Sequence, residues 1–260
     1  GGWALARTGA GLGGTDWTSG AGSTGTDTGK TYVTAALSQA LSANGRSVRV
    51  LKPIISGFDE SDFQDTDTAV LLNAAGLSAT KEAVEATSPW RFKEPLSPDM
   101  AAGREGREID CKSLVQFCLK AQAGNEDFLL IEGIGGAMVP LDATHTVLDW
   151  IAELKAPALV VCGSYLGTLS HTLTTIAALR GRDITIAGVV VSESEESPVP
   201  VSETADTLAR FLDGLKIATV CRNAGPEKVL AAVSEMTGLQ SGLAAINAPA
   251  SPFRVKRFPL

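Results

Sequence analysis

Apolar residues along the chain follow two alternating rhythms. Short, near-continuous apolar runs occur at residues 48–51, 128–132, 158–162 and 186–191, with a weaker one at 217–220. They have the length of strands but lack the alternation of a strand with one wet face, which suits parallel strands covered on both sides. Between them the spacing turns helical, at 31–44, 66–75, 110–123, 147–154, 168–181 and 202–215. Strand and helix in turn predict an α/β fold: a doubly wound, mainly parallel sheet flanked by helices and joined by right-handed crossovers. Ligands of such sheets sit at the carboxyl ends of the strands.

Three stretches fall outside this rhythm. Residues 1–24 are rich in Gly, Ser and Thr and show no good strand. We expect an irregular segment there, foreign to the domain. Residues 193–201 read as a polar, proline-containing loop, and residues 248–260 as an irregular tail. The expected organisation is therefore one domain over 25–247. No internal repeat is visible.

Composition narrows the function. Hydrophobic residues make up 44% of the 260 positions and charged residues 20%, enough apolar mass for a full core. The net charge of −7 argues against nucleic acid as a partner, because phosphate backbones are bound by clustered Lys and Arg. A small anion needs only a local cationic pocket. No run approaches the roughly 18 apolar residues of a membrane span, and no charged-then-apolar leader opens the chain. The expected location is the cytoplasm. Cys111, Cys118, Cys162 and Cys221 form no C-x-x-C pair and there are two histidines, so four buried, reduced thiols are expected rather than a zinc site.

Candidate chemistry begins at Gly25-Thr26-Asp27-Thr28-Gly29-Lys30-Thr31, which opens a helical pattern with apolar Val33, Ala36, Leu37 and Leu41. A glycine-rich turn exposes backbone N–H groups, and the helix start adds the positive end of its dipole; together they cradle phosphate oxygens. In such a loop Lys30 reaches the β- and γ-phosphates of ATP and the Thr31 hydroxyl ligates Mg2+. The fold is then of the P-loop NTPase type. The spacing is short: the position that usually holds the leading glycine is Thr24, and the nearest glycine is Gly25. The plainer reading of these residues is a Gly/Thr helix cap with an exposed lysine.

Downstream residues weigh against the plainer reading. Lys52 stands at the carboxyl end of an apolar run, either solvated or directed into a site, with Pro53 expected to halt the strand and Gly57 to permit a tight turn. Asp65 and Asp67 precede a helix, where capping is the simple alternative to metal binding. Glu132 ends the run FLLIE, a place where P-loop proteins commonly hold magnesium. Gly133, Gly135 and Gly136 follow it and let the backbone approach a ligand.

The ordered motifs resemble dethiobiotin synthetase: GTDTGKT at 25–31, KPIISG at 52–57, TDTA at 66–69, EPLSP at 94–98, IEGIGGAMVPL at 131–141 and LGTLSH at 166–171. The likeness spans about 25–192. It implies an ATP-dependent ligase that closes the ureido ring of 7,8-diaminononanoate with CO2, giving dethiobiotin, ADP and phosphate through a carbamate and a carbamic–phosphoric anhydride. Carried over to this chain, Lys30, Lys52 and Ser56 would be catalytic. Residues 25–31 with Glu132, Gly135 and Ser192 would bind the nucleotide. Thr31, Asp67 and Glu132 would hold magnesium. Ser56, Gly135, Gly136, Thr168, Leu169 and Ser170 would meet the diamine substrate, the last three across a homodimer interface. His171 is a weak catalytic candidate beside its structural reading. Three departures stand out: two residues are missing between Thr28 and Gly29, Asp99 replaces a histidine, and Ser192 replaces an adenine-contacting asparagine. The alternatives are a ParA/MinD-like ATPase switch and a catalytically impaired homologue.

Overall fold

The computed structural model describes residues 20–23 and 29–237. Residues 25–28 of the phosphate loop, 1–19 and the tail 248–260 lie outside the described residues. In chain order the elements are β1 (Gly20–Ser23), α1 (Lys30–Ala43), β2 (Val48–Leu51), β3 (Ile54–Ser56), α2 (Asp67–Ala74), α3 (Lys81–Thr87), β4 (Trp90–Phe92), α4 (Pro98–Arg104) and α5 (Cys111–Gln122). They continue as β5 (Phe128–Ile131), α6 (Val147–Leu154), β6 (Ala158–Cys162), α7 (Thr168–Arg180), β7 (Ile186–Ser192), α8 (Val201–Phe211), β8 (Ile217–Val220) and α9 (Pro226–Thr237).

Every paired strand runs parallel. β1, β6, β7 and β8 form one hydrogen-bonded set in that order, β2 pairs with β5, and β3 with β4. β1 comes alongside β5, which brings the four-stranded set beside the β2–β5 pair. The carboxyl ends of β1, β2, β5, β6, β7 and β8 therefore share one edge.

Successive residues of one strand feed opposite cores. Phe128 and Leu130 of β5 pack with α1, α2 and α9, whereas Leu129 and Ile131 pack with α5 and α6. Leu159 and Val161 of β6 face the first layer, and Val160 and Cys162 the second. Both faces are covered, which is why these runs carry no polar alternation. The doubly wound sheet is as expected.

Three expectations need correction. A strand does lie within residues 1–24: β1 pairs with β6 through the register Gly20↔Ala158 to Ser23↔Val161. Its GAGS sequence gives no apolar signal, and the strand is held by the backbone ladder. Pro53 halts the strand as expected, β2 ending at Leu51. It lacks an N–H, but its carbonyl accepts from Trp90 N at 3.0 Å, and the chain resumes as β3. Elements β3, α3, β4, α4 and α9 were not anticipated; β3 and β4 are three residues long, and α3 and α4 seven each, too short for a clear period. Finally, Cys221 is exposed, while Cys111, Cys118 and Cys162 are buried and free.

Candidate active site

The site lies where β2, β5 and the start of α1 meet. Gly29 is the N-cap of α1, with φ 84° and ψ 12°, a left-handed conformation that glycine adopts without strain. A Cβ here would also come within 2.4 Å of Ser192 Oγ, so glycine is required twice over. Lys30 and Thr31 follow in the first turn, and Lys30 is buried.

Glu132 and Lys52 stand one residue past β5 and β2. The β ladder carries on through them, because Glu132 N donates to Leu51 O at 2.8 Å. Register between two parallel strands thus sets an acid beside a lysine. Lys52 Nζ donates to Glu132 Oε1 at 2.6 Å and lies 2.6 Å from Asp67 Oδ2. The Thr31 hydroxyl donates to the same Glu132 Oε1 at 2.7 Å. Asp67 is free for this role because Thr66, not Asp67, caps α2 by accepting from Ala69 N.

Electrostatics bind the group together. Burial disfavours the Lys52 ammonium, but Glu132 and Asp67 outweigh it and hold the pKa above the ordinary lysine value. Burial likewise opposes the Asp67 carboxylate, yet Lys52, aided by Thr31 and Lys30, keeps it below the ordinary range. A buried lysine with two carboxylates is a charge arrangement that folding alone does not require.

In front of this cluster opens a cleft of about 790 Å3, lined among others by Gly29, Lys30, Thr31, Lys52, Ser56, Asp67 and Gly135. Two cations, two hydroxyls and a helix start face one space, which suits a polyphosphate. Glu132 Oε2 is buried with no hydrogen-bond partner. That orphaned oxygen, with Thr31 Oγ1 and Asp67, is a hard donor set that fits magnesium. Among the described residues no cluster of three or more His, Cys, Asp and Glu could cage a metal alone. The set therefore matches an ion that shares its coordination with substrate phosphates.

A family model described as an AAA domain matches residues 22–241. An ATP-dependent dethiobiotin synthetase of Methylobacterium nodulans is 47% identical over 206 residues, covering 77% of this chain and 91% of that protein. The enzyme of the same name from Acidiphilium cryptum is 48% identical over 189 residues, covering 72% and 85%. The chain belongs to the dethiobiotin synthetase family. Its fold resembles the cell division ATPase MinD of Pyrococcus furiosus, with a TM-score of 0.51 at 21% identity, covering 86% of this chain and 98% of that one. A chain of the MinC:MinD cell division protein complex of Aquifex aeolicus gives 0.52 at 15%, covering 92% and 97%. At these identities the likeness concerns the fold alone.

Several other described residues named for a dethiobiotin synthetase site do not line this cleft. Ser192 packs behind Gly29 and does not line the cleft. Thr168 is buried, with its hydroxyl donating to Gly163 O at 2.7 Å. Leu169 is partly exposed, and the Ser170 carbonyl accepts from Thr174 Oγ1. Gly136 O accepts from Val139 N at 3.0 Å and is not part of the lining. His171 pairs with the Tyr165 hydroxyl at 2.9 Å, outside the cleft.

Several lining residues were given no role of their own in the sequence reading. Tyr32, Ile134 and Val139 border the cleft, as does the run Pro95, Leu96, Ser97 and Pro98. The EPLSP motif was a signal that these last residues matter, though not how. The turn at Gly57, φ 74°, explains the placement: its N–H donates to Glu94 O at 3.1 Å and seats Pro95 against the KPIISG segment.

Proposed function

We propose that the chain is an ATP-dependent ligase that forms dethiobiotin from 7,8-diaminononanoate and CO2, releasing ADP and phosphate. The observation that carries this reading is the convergence of Lys30, Thr31, Lys52, Ser56 and Asp67 on one cleft in a member of this family. Phosphoryl transfer asks a protein mainly for positioning and charge stabilisation. The start of α1, with Lys30, cradles the phosphates. Ser56 donates a hydrogen bond to the carbamate or the γ-phosphate. Lys52 supplies positive charge where the carbamate oxygen attacks. Magnesium, held by Thr31, Asp67 and Glu132, would supply charge neutralisation on the phosphates. Tyr32 and the 95–98 segment would shape the walls.

A homodimer fits the apolar residues at the entrance to α7: Leu166 is 88% exposed and Leu169 36%. The buried, unpaired Cys111, Cys118 and Cys162 fit a reducing, cytoplasmic setting. No helix among the described residues is long and apolar enough to cross a membrane.

The deciding experiment is phosphate release from ATP with and without the diamine and bicarbonate. Release should depend on both. Release indifferent to the diamine would favour the ATPase-switch reading, and no release at all an impaired homologue. Lys52→Ala should lose about a hundredfold in diamine-dependent turnover, the usual effect of removing one preorganised charge contact.

A further inference from the structure

We propose that Lys52 is an exchangeable counterion of the magnesium site: its ammonium and the divalent cation compete for Glu132 and Asp67, and cation binding sends Lys52 into the cleft. The inference rests on the ligase reading above and deepens it.

The geometry is that of a cation already seated. Lys52 Nζ lies 2.6 Å from Glu132 Oε1 and 2.6 Å from Asp67 Oδ2, and the side chain is 6% exposed. Thr31 Oγ1 lies 2.7 Å from that same Oε1. All three side chains suited to magnesium are thus engaged with one another or with the lysine. A dication bound directly to Oε1 and Oδ2 would sit within a few ångströms of the ammonium. Two positive charges that close, away from water, repel strongly. Both cannot hold these two oxygens at once.

The surroundings allow exchange. Glu132 Oε2 is buried without a partner, so an arriving dication has a first foothold on the carboxylate before it takes Oε1 and displaces the ammonium. Lysine carries its charge on a flexible four-carbon stem. Lys52 stands in the cleft wall with Lys30 and Ser56, so the space next to it is where the phosphate and carbamate charges would lie. Loading the metal then delivers a second cation to the reacting groups at the moment it is needed. Reciprocity follows: an anion in the cleft that draws Lys52 outward must favour metal binding by the same factor.

The test titrates the full chain with Mn2+ alone, read by electron paramagnetic resonance. Lys52→Met removes the competitor without adding charge, so its apparent Kd for Mn2+ should fall about tenfold or more below that of the unaltered chain. An equal or weaker affinity overturns the proposal. A second measurement needs no variant: acetylation of Lys52 by an N-hydroxysuccinimide ester, followed by mass spectrometry. Saturating Mg2+ should accelerate modification at Lys52 several-fold. An unchanged rate overturns the proposal even if the variant fails to fold. Diamine-dependent phosphate release by the unaltered chain is assayed separately, so failure of the exchange and failure of the ligase reading are told apart.

Discussion

At the scale of single residues, Glu132 is the pivot. One of its oxygens takes both Thr31 and Lys52, and the side chain is buried at 1% exposure. Glu132→Gln keeps the shape and removes the charge. Among the described residues, half-exposed Asp67 is then the carboxylate that remains at Lys52. Breaking one side of a buried ion pair costs about 3 kcal/mol or more. Urea unfolding should show a loss of that size, and phosphate release should fall at least about a hundredfold. The same cluster sets a pH signature. The Asp67 pKa is depressed, so its contribution is present above the ordinary carboxylate pKa near ~3.9 and is lost as pH falls through the lower folded value. The Lys52 pKa is raised, so its contribution is present below the ordinary lysine pKa of ~10.4 and is lost as pH rises through the higher folded value. Stability measured by urea midpoints should therefore have an alkaline limb beyond about pH 10.4 that Lys52→Met lacks.

At the scale of elements, what was legible followed from periodicity. The runs at 128–131 and 158–162 announce buried parallel strands because each residue meets one of two apolar layers. The end of such a strand locates Glu132 and Lys52 correctly. The pairing between them was not legible, because it depends on β2 and β5 being neighbours, a choice made by packing across 80 residues of chain. Nor was β1, whose Gly-Ala-Gly-Ser sequence has no hydrophobic signal. Ser192 shows the same limit: its position at the end of β7 was clear, but its contact with Gly29 comes from the sheet order. That contact is testable. Gly29→Ala forces a Cβ to 2.4 Å from Ser192 Oγ and 2.8 Å from its Cβ, at φ 84°. ATP-dependent turnover should drop more than about tenfold, since strain of roughly 1–2 kcal/mol adds to the clash. Adding Ser192→Gly clears the clash but leaves the strain, so the double variant should recover part of the loss. Full activity in the single variant would remove Gly29 from the phosphate loop.

At the scale of the whole molecule, the two-sided core consumes most of the large apolar residues and leaves a few outside it. Leu166 at 88% exposure and Leu169 at 36% flank the N-terminus of α7, on the loop that leaves β6 at the edge where the cleft opens. Gly167, φ 97°, makes the turn that presents Leu166 outward. A bare leucine at that point gains nothing in water; burying it in a second copy would recover about 25 cal/mol per Å2 of apolar surface. If the dimer forms there, the unaltered chain should sediment at roughly twice its 26.9 kDa mass. Leu166→Asp, which places a charge in the interface, should shift the population toward the single chain as dilution proceeds. The residues at 168–170 do not line the cleft of one copy, so any contact they make with the diamine must come from a neighbour. Loss of the dimer should then raise KM for the diamine, while KM for ATP should stay unchanged because Lys30, Thr31 and Lys52, proposed to bind it, line one cleft of a single chain. A variant that stays dimeric, or one that becomes monomeric with both constants intact, would show that each copy carries a complete site.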